Sequence, residues 1–217
     1  MVNERICTSV TSTDFSECEQ VLRSSQMAEL RLDLMLLHTA QIQALLLHKI
    51  PTVVTCREGK YAQNERVNLL KFAIENGATF VDIEVESEES YRKTLVDFAK
   101  KHGCKVIISY HNFECTPSFA ELKQIIAECR SMGADVVKLI TTAHTAQDSA
   151  RVLSLYESKE NLVAFAMGEA GKITRLACLY LGAPFTYASM GTGKEAAPGQ
   201  ISAEKMGEVV KIVGNTQ

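Results

Sequence analysis

The sequence predicts an α/β chain folded as a closed (β/α)8 TIM barrel. Three observations lead there. Short runs rich in Val, Ile, Leu or Thr alternate end to end with longer stretches of spaced apolar residues, and that alternation builds a parallel sheet. Eight such units fit within 217 residues, near the lower size of such barrels at ~200. Polar residues gather late in the strand runs, where a barrel places its site. A doubly wound open sheet is the alternative. It normally needs fewer strands and often a glycine-rich first turn, and Thr8-Ser-Val-Thr-Ser-Thr13 has no glycine.

Taken in order, strand 1 is expected over Arg5–Val10 and strand 2 over Ala28–Leu34. Strand 2 carries Glu29, Arg31 and Asp33 at alternate positions, so all three project to one side, with Leu30, Leu32 and Leu34 toward the helices. A half-buried antiparallel strand shows the same alternation. A parallel barrel strand, however, has no solvent face, so its charges must pair or bind something polar. Strand 3, Thr52–Arg57, ends in Thr55-Cys-Arg57, and a helix follows over Asn64–Asn76. Strand 4, Thr79–Val85, places Asp82 and Glu84 on one face, ahead of a helix over Ser90–Lys101. Strand 5, Lys105–Tyr110, leads into His111, and Ser118–Met132 is helical. Strand 6, Asp135–Ile140, holds Lys138 and precedes a helix over Ala146–Tyr156. Strand 7 is Leu162–Met167. The segment Met167-Gly-Glu-Ala-Gly171 then opens a helix bearing Arg175. Strand 8, Phe185–Ala188, is followed by a glycine-rich loop, Met190 to Gln200, and a last helix over Ala203–Val213. Gly77, Gly103, Gly133 and Gly182 stand where helices close, as C-cap glycines do.

Composition narrows the function. Hydrophobic residues make up 46% of the chain and the formal net charge is −3, which gives no sign of nucleic-acid binding. No apolar run approaches the ~20 residues of a membrane span, and Met1-Val-Asn-Glu-Arg-Ile6 lacks a signal-peptide core. The cysteines, at 7, 18, 56, 104, 115, 129 and 178, are odd in number and form no Cys-x-x-Cys. Neither a zinc site nor a disulfide framework is indicated. Cys7, Cys56 and Cys178 lie in apolar runs and read as small hydrophobes. A cytoplasmic location fits best.

Lys138 is the most informative residue. Ala134-Asp-Val-Val-Lys-Leu-Ile140 otherwise reads as a buried strand. A lone buried ammonium is costly unless it is paired or its pKa falls, and a lysine with a lowered pKa is a nucleophile able to form a Schiff base. The bland reading is a lysine that snorkels to water. His111, one β/α unit earlier at a strand end, suits proton transfer near neutral pH. Together the two suggest imine-based proton abstraction. Arg175 near a helix N-terminus favours an anion. The loop before Gln200 suits a mobile lid. Their ordinary readings are a solvated helix residue and a plain connector. Jointly, the arginines and the lysine at one barrel mouth of a net-acidic chain point to a small anionic substrate.

These residues resemble those of the type I 3-dehydroquinate dehydratases. The match runs in order through Glu29-Leu-Arg-Leu-Asp33, Thr55-Cys-Arg57, Val81-Asp-Ile-Glu84, Ser109-Tyr-His-Asn-Phe113 with Thr116-Pro117, Val137-Lys138, Met167-Gly168, Thr174-Arg175 and Ala197-Pro-Gly-Gln-Ile201. It covers nearly the whole chain, 1–217, as one catalytic domain with a class I aldolase-like barrel. The resemblance implies syn loss of water from 3-dehydroquinate to give 3-dehydroshikimate, in the shikimate pathway of aromatic amino acid biosynthesis. Lys138 would condense with the C3 ketone and the protonated imine would act as electron sink. His111 would remove the C2 proton and then protonate the departing C1 hydroxyl. Arg175 and Gln200 would hold the carboxylate. Glu29, Arg31 and Arg57 would hold the ring hydroxyls, and Ser9 matches a further polar contact. No metal or organic cofactor is implied, since the lysine supplies the electron sink, and a cytoplasmic homodimer is expected.

The chain departs from the family pattern in two places. Many members carry a serine four residues before the glutamine, where this sequence has Ala196, so one hydrogen bond is absent or comes from Thr192 or a backbone amide. Members also commonly have a glutamate a few residues after the strand 3 arginine that orients the histidine. Here Glu58-Gly59 follows Arg57 at once, which leaves Glu58, Asp82 or Glu84 as the residue orienting His111. The rival readings are a class I Schiff-base aldolase and a sugar-acid-binding barrel without chemistry.

Overall fold

The computed structural model describes residues 5–158, 161–191, 193–195 and 199–214. Strand and helix alternate as β1 (Ile6–Val10), α1 (Phe15–Ser24), β2 (Met27–Arg31), α2 (Thr39–Leu46), β3 (Thr52–Thr55), α3 (Gln63–Glu75), β4 (Phe80–Glu84), α4 (Glu89–Lys101), β5 (Lys105–His111), α5 (Phe119–Ser131), β6 (Val136–Thr142), α6 (Ala146–Ser154), β7 (Leu162–Met167), α7 (Lys172–Leu181), β8 (Thr186–Ser189) and α8 (Ala203–Gly214). The eight strands form one sheet in the order β7-β6-β5-β4-β3-β2-β1-β8, and every paired neighbour is parallel. Pairing of β1 with β8 curls the sheet into a barrel. Among the described residues no ladder joins β7 to β8. Phe165 and Tyr187 meet across that seam, with ring centroids 6.3 Å apart.

Alternation along each strand sorts its side chains into two apolar regions. Leu30, Val54, Val81, Ile83, Ile108 and Leu139 point outward to pack against the helices. Met27, Val53, Ile107, Val136, Val163 and Phe185 point inward and fill the barrel beneath the site. Capping fixes several helix starts. Ser118 accepts from the Glu121 amide at 3.3 Å, and the Glu121 carboxylate accepts from the Ser118 amide at 2.9 Å. Asp14 accepts from the Ser16 amide at 2.8 Å. Gly182 ends α7 at φ 113°, a left-handed turn that needs glycine.

Strand boundaries move modestly from the sequence reading, with one consequence for the site. β2 stops at Arg31, because the chain turns there: the amides of Leu34 and Met35 both donate to the Arg31 carbonyl at 2.9 Å. Asp33 therefore lies past the strand rather than on its inner face, and Leu34 is 41% exposed rather than packed on the helices. β3 likewise ends before Arg57, and β5 extends to include His111. The helix expected over Ala146–Tyr156 ends at Ser154 and tightens into a 3-10 turn over Leu155–Glu157.

Candidate active site

Nine inward-facing polar positions converge at the C-terminal end of the barrel. Register sets their heights: Ser9 pairs with Glu29, Arg31 with Thr55, Thr55 with Asp82, Glu84 with Ser109, Ser109 with Lys138, and His111 with Ile140. Ser9, Glu29, Arg31, Arg57, Glu84, His111, Lys138, Arg175 and Gln200 all line one cavity of about 270 Å³. Phe113, Ile140, Phe165, Met167 and Tyr187 supply its apolar walls.

Lys138 is 6% exposed but not alone. Its Nζ donates to Asp82 Oδ2 at 2.8 Å, lies 3.5 Å from Glu29 Oε1, and sits 4.2 Å from the centroid of the Tyr187 ring. The buried lysine is thus satisfied by two carboxylates and an aromatic face, and the snorkelling reading is set aside. Asp82 is the hub. It also accepts from Arg57 Nη2 at 2.9 Å and from Ser109 Oγ at 2.6 Å. Burial alone would raise its pKa, but Arg57, Lys138 and His111 hold the carboxyl well below the usual carboxylate range. Glu29 anchors the opposite wall. Its Oε2 accepts from Ser9 Oγ at 2.8 Å and its Oε1 from Thr55 Oγ1 at 2.9 Å.

His111 stacks 6.1 Å from Phe113, with the ring planes 14° apart. Burial, then Arg57 and Lys138, pull its pKa well below the ordinary histidine value, so it stands neutral and ready to accept a proton. No carboxylate hydrogen-bonds to it among the described residues. Glu58, expected to orient it, instead pairs with Arg66 at 3.3 Å with its side chain 79% exposed. Asp82 acts on the imidazole through space while bonding to Lys138. Glu84 pairs with Arg57 at 3.2 Å and with Arg66 at 3.7 Å. The shortened loop after β3 is the reason, since Glu58 follows Arg57 directly and faces α3 rather than β5.

The remaining predicted contacts fall around the rim. Asp33 clamps Arg31 with bonds of 3.0 and 2.6 Å, fixing the guanidinium at the mouth. Arg175, only 1% exposed, stacks 4.4 Å from Phe165. Burial lowers its pKa to about 10, so it is cationic at neutral pH. Gln200 Nε2 lies 3.4 Å from Ser9 Oγ. Gly199 brings it there. A Cβ at Gly199 would sit 3.3 Å from the backbone N and O of Gly168, so the loop after β8 rests on the loop after β7. The same loop is tied to α1 by the Lys194–Glu17 ion pair. Ala196 and Thr192, the positions tied to the absent serine, lie outside the described residues. Sequence reasoning gave no role to Thr55, Ser109, Tyr187 or Phe165, although Thr55 shares the inward parity of Arg57 and Ser109 that of His111. Six cysteines are buried and unpaired, and Cys115 is exposed. Among the described residues no His, Cys, Asp and Glu cluster is arranged to hold a metal ion, and no helix is long and apolar enough to cross a membrane.

Comparison with known proteins gives one answer. Residues 6–217 match the family model described as type I 3-dehydroquinase. A 3-dehydroquinate dehydratase of Methanococcus maripaludis is 36% identical over 99% of this chain and 98% of its own length. The crystal structure of 3-dehydroquinate dehydratase from Aquifex aeolicus is 28% identical, covers 97% of this chain and 99% of its own, and superposes with a TM-score of 0.82. A deoxyribose phosphate aldolase from Aeropyrum pernix, 18% identical over 98% of this chain and 92% of its own, shares the barrel at a TM-score of 0.67, a likeness of fold alone. With a matching barrel, relatives that align from end to end and Glu29, Arg57, His111, Lys138, Arg175 and Gln200 lining one cavity, this chain belongs to the type I 3-dehydroquinase family.

Proposed function

We propose that Lys138 and His111 are the pair through which this chain, a 3-dehydroquinate dehydratase, eliminates water from its substrate. The observation that carries the assignment is the buried Nζ, 2.8 Å from Asp82, opening into a cavity that also holds His111. Nζ passes a proton to His111 and attacks the C3 carbonyl as the free amine; a second amine proton moves to the carbonyl oxygen, and His111 returns its proton so that the oxygen leaves as water, giving a protonated imine. His111 takes the C2 proton, and the electron pair moves into the imine to form an enamine. The imidazolium then gives its proton to the C1 hydroxyl, which departs as water, and hydrolysis frees the enone and Lys138. Asp82 accepts the N–H of the ammonium and of the protonated imine, while burial and the pull of Arg57 and Lys138 keep His111 a neutral base at the start.

Arg175 and Gln200 meet the carboxylate, and the lid expected before Gln200 lies partly outside the described residues. Glu29, Arg31 and Arg57 meet the ring hydroxyls, and Ser9 bridges Glu29 and Gln200. Residues 1–217 act as one catalytic domain. The same proposal includes a homodimer in the cytoplasm. The unpaired thiols support the compartment. Exposed Ile173, Tyr180 and Leu181 on α7, with Ile212 and Val213 on α8, support self-association, which sedimentation tests.

The covalent step is tested with borohydride. Added with dehydroquinate, it should leave a stable adduct on the peptide carrying Lys138, and Lys138→Ala should lose both adduct and turnover. Lys105 packs against Phe80 at 5.7 Å and Lys172 pairs with Glu169 at 2.5 Å on the surface. An adduct on either of them would overturn the assignment.

A further inference from the structure

Arg66 lies outside the cavity, on α3, yet it is 3% exposed and every part of its guanidinium is engaged. Its Nε donates to the Cys56 carbonyl at 3.0 Å. Its Nη1 pairs with Glu58 at 3.3 Å and its Nη2 with Glu84 at 3.7 Å. Its Cζ stacks 4.8 Å from the ring of Tyr91, a buried residue of α4. These partners have one residue in common. Cys56 and Glu58 flank Arg57, and Glu84 bonds to Arg57 from the end of the neighbouring strand β4 at 3.2 Å. Arg57 itself lies beyond the end of β3, which stops at Thr55. No strand ladder holds it, and the chain after it turns through Gly59 at φ 129°.

We infer that Arg66 is a positioning residue for the reaction. It brackets Arg57 on both sides, holds Glu84 against it, and thereby sets the guanidinium that faces the substrate. A planar fork with a directional Nε suits this work, whereas a lysine could satisfy one partner at a time. The contacts run on without a break, Arg66 to Glu84, Glu84 to Arg57, Arg57 to Asp82, and Asp82 to Lys138. The geometry of the cavity wall is thus set from a helix that never touches the ligand.

This inference rests on the binding role proposed for Arg57, and the test separates the two. Arg66→Met, Arg66→Lys, Glu84→Gln, the Arg66→Met/Glu84→Gln double variant and Arg57→Met are assayed for KM and kcat, with melting curves alongside. Arg66→Met should raise KM about two- to ten-fold, the scale of one misplaced hydrogen bond, while kcat stays within about three-fold, as for a lost uniform binding contact. Arg66→Lys should fall between Arg66→Met and the parent, and it carries the test if Arg66→Met fails to fold. In the Glu84→Gln background, Arg66→Met should add little further rise in KM, because the two act through one contact. A fall in melting temperature with KM unchanged, or full additivity of the two substitutions, would assign Arg66 to stability alone and overturn the inference. If Arg57→Met leaves KM unchanged, the binding role of Arg57 falls and the inference falls with it. If Arg57→Met raises KM and the Arg66 variants do not, only the inference fails.

Discussion

Replacing Asp82 with Asn tests the hub of the site through stability, independently of catalysis. The amide keeps the size and one acceptor for Ser109 but removes the charge shared by Arg57 and Lys138, both within 2.9 Å. Arg57 cannot shed its proton to escape. Removing one partner of a buried ion pair costs about 3–5 kcal/mol. Glu84 at 3.2 Å and Glu29 at 3.5 Å remain to the two cations, which favours the lower end, about 3 kcal/mol. For a chain of this size each kcal/mol moves Tm by about 2–4 °C, so the variant should melt about 6–12 °C lower at pH 7. The pH dependence sharpens the test. The native Asp82 pKa is depressed, so its contribution is present above the unfolded carboxyl value near ~3.9 and is lost as pH falls toward the native value. The difference between the parent and Asp82→Asn should therefore narrow as melts are taken from pH 6 down to pH 3. A variant melting within about 2 °C of the parent at pH 7, or a gap of equal size at pH 3, would refute the reasoning.

Other consequences can be measured separately. Because the His111 pKa lies well below the ordinary value, kcat/KM should be flat between pH 6 and 8, its acid limb displaced downward; an inflection near ~6.5 in the pH profile would contradict this. Arg175→Met should raise KM about ten- to a hundred-fold in steady-state kinetics, the worth of a charge-assisted bond to the carboxylate. Gly171→Ala should cost about 1–3 kcal/mol in denaturant unfolding and should also weaken substrate binding. A Cβ there would collide with the Ala166 and Met167 carbonyls at the start of the helix that carries Arg175.

Much of this site was legible because barrel strands have a period of two. Glu29 with Arg31, Asp82 with Glu84, and Lys138 share parity, so their common direction follows from counting. Pairing between strands does not. Which carboxylate meets Lys138 depends on register and stagger, and only the fold brings Asp82, two strands away from β6, to 2.8 Å of its amine. Glu58 misled for the same reason, because sequence proximity to Arg57 says nothing of which way a shortened loop turns. Asp33 kept the parity of a strand that had already ended. Helices α1 and α2 are counted among the eight units but given no bounds, because one is rich in polar residues and the other is short. Arg66 draws no reading from the sequence, since nothing local signals that α3 buries it on Tyr91.

The closure of the barrel bears on how the chain is made. β1, made before the other seven strands, has two neighbours, β2 and β8. Its second edge therefore waits until β2 through β7 have been synthesised. Until Thr186–Ser189 arrives, that edge offers unpaired amides and carbonyls to any other nascent chain. β7 and β8 share no ladder among the described residues, so β7 can settle on β6 while β8 is still inside the exit tunnel. The last strand then docks on the first in a separate event. Chains stopped short of Thr186 should sediment with aggregates, whereas chains stopped beyond α8 should stay in the supernatant.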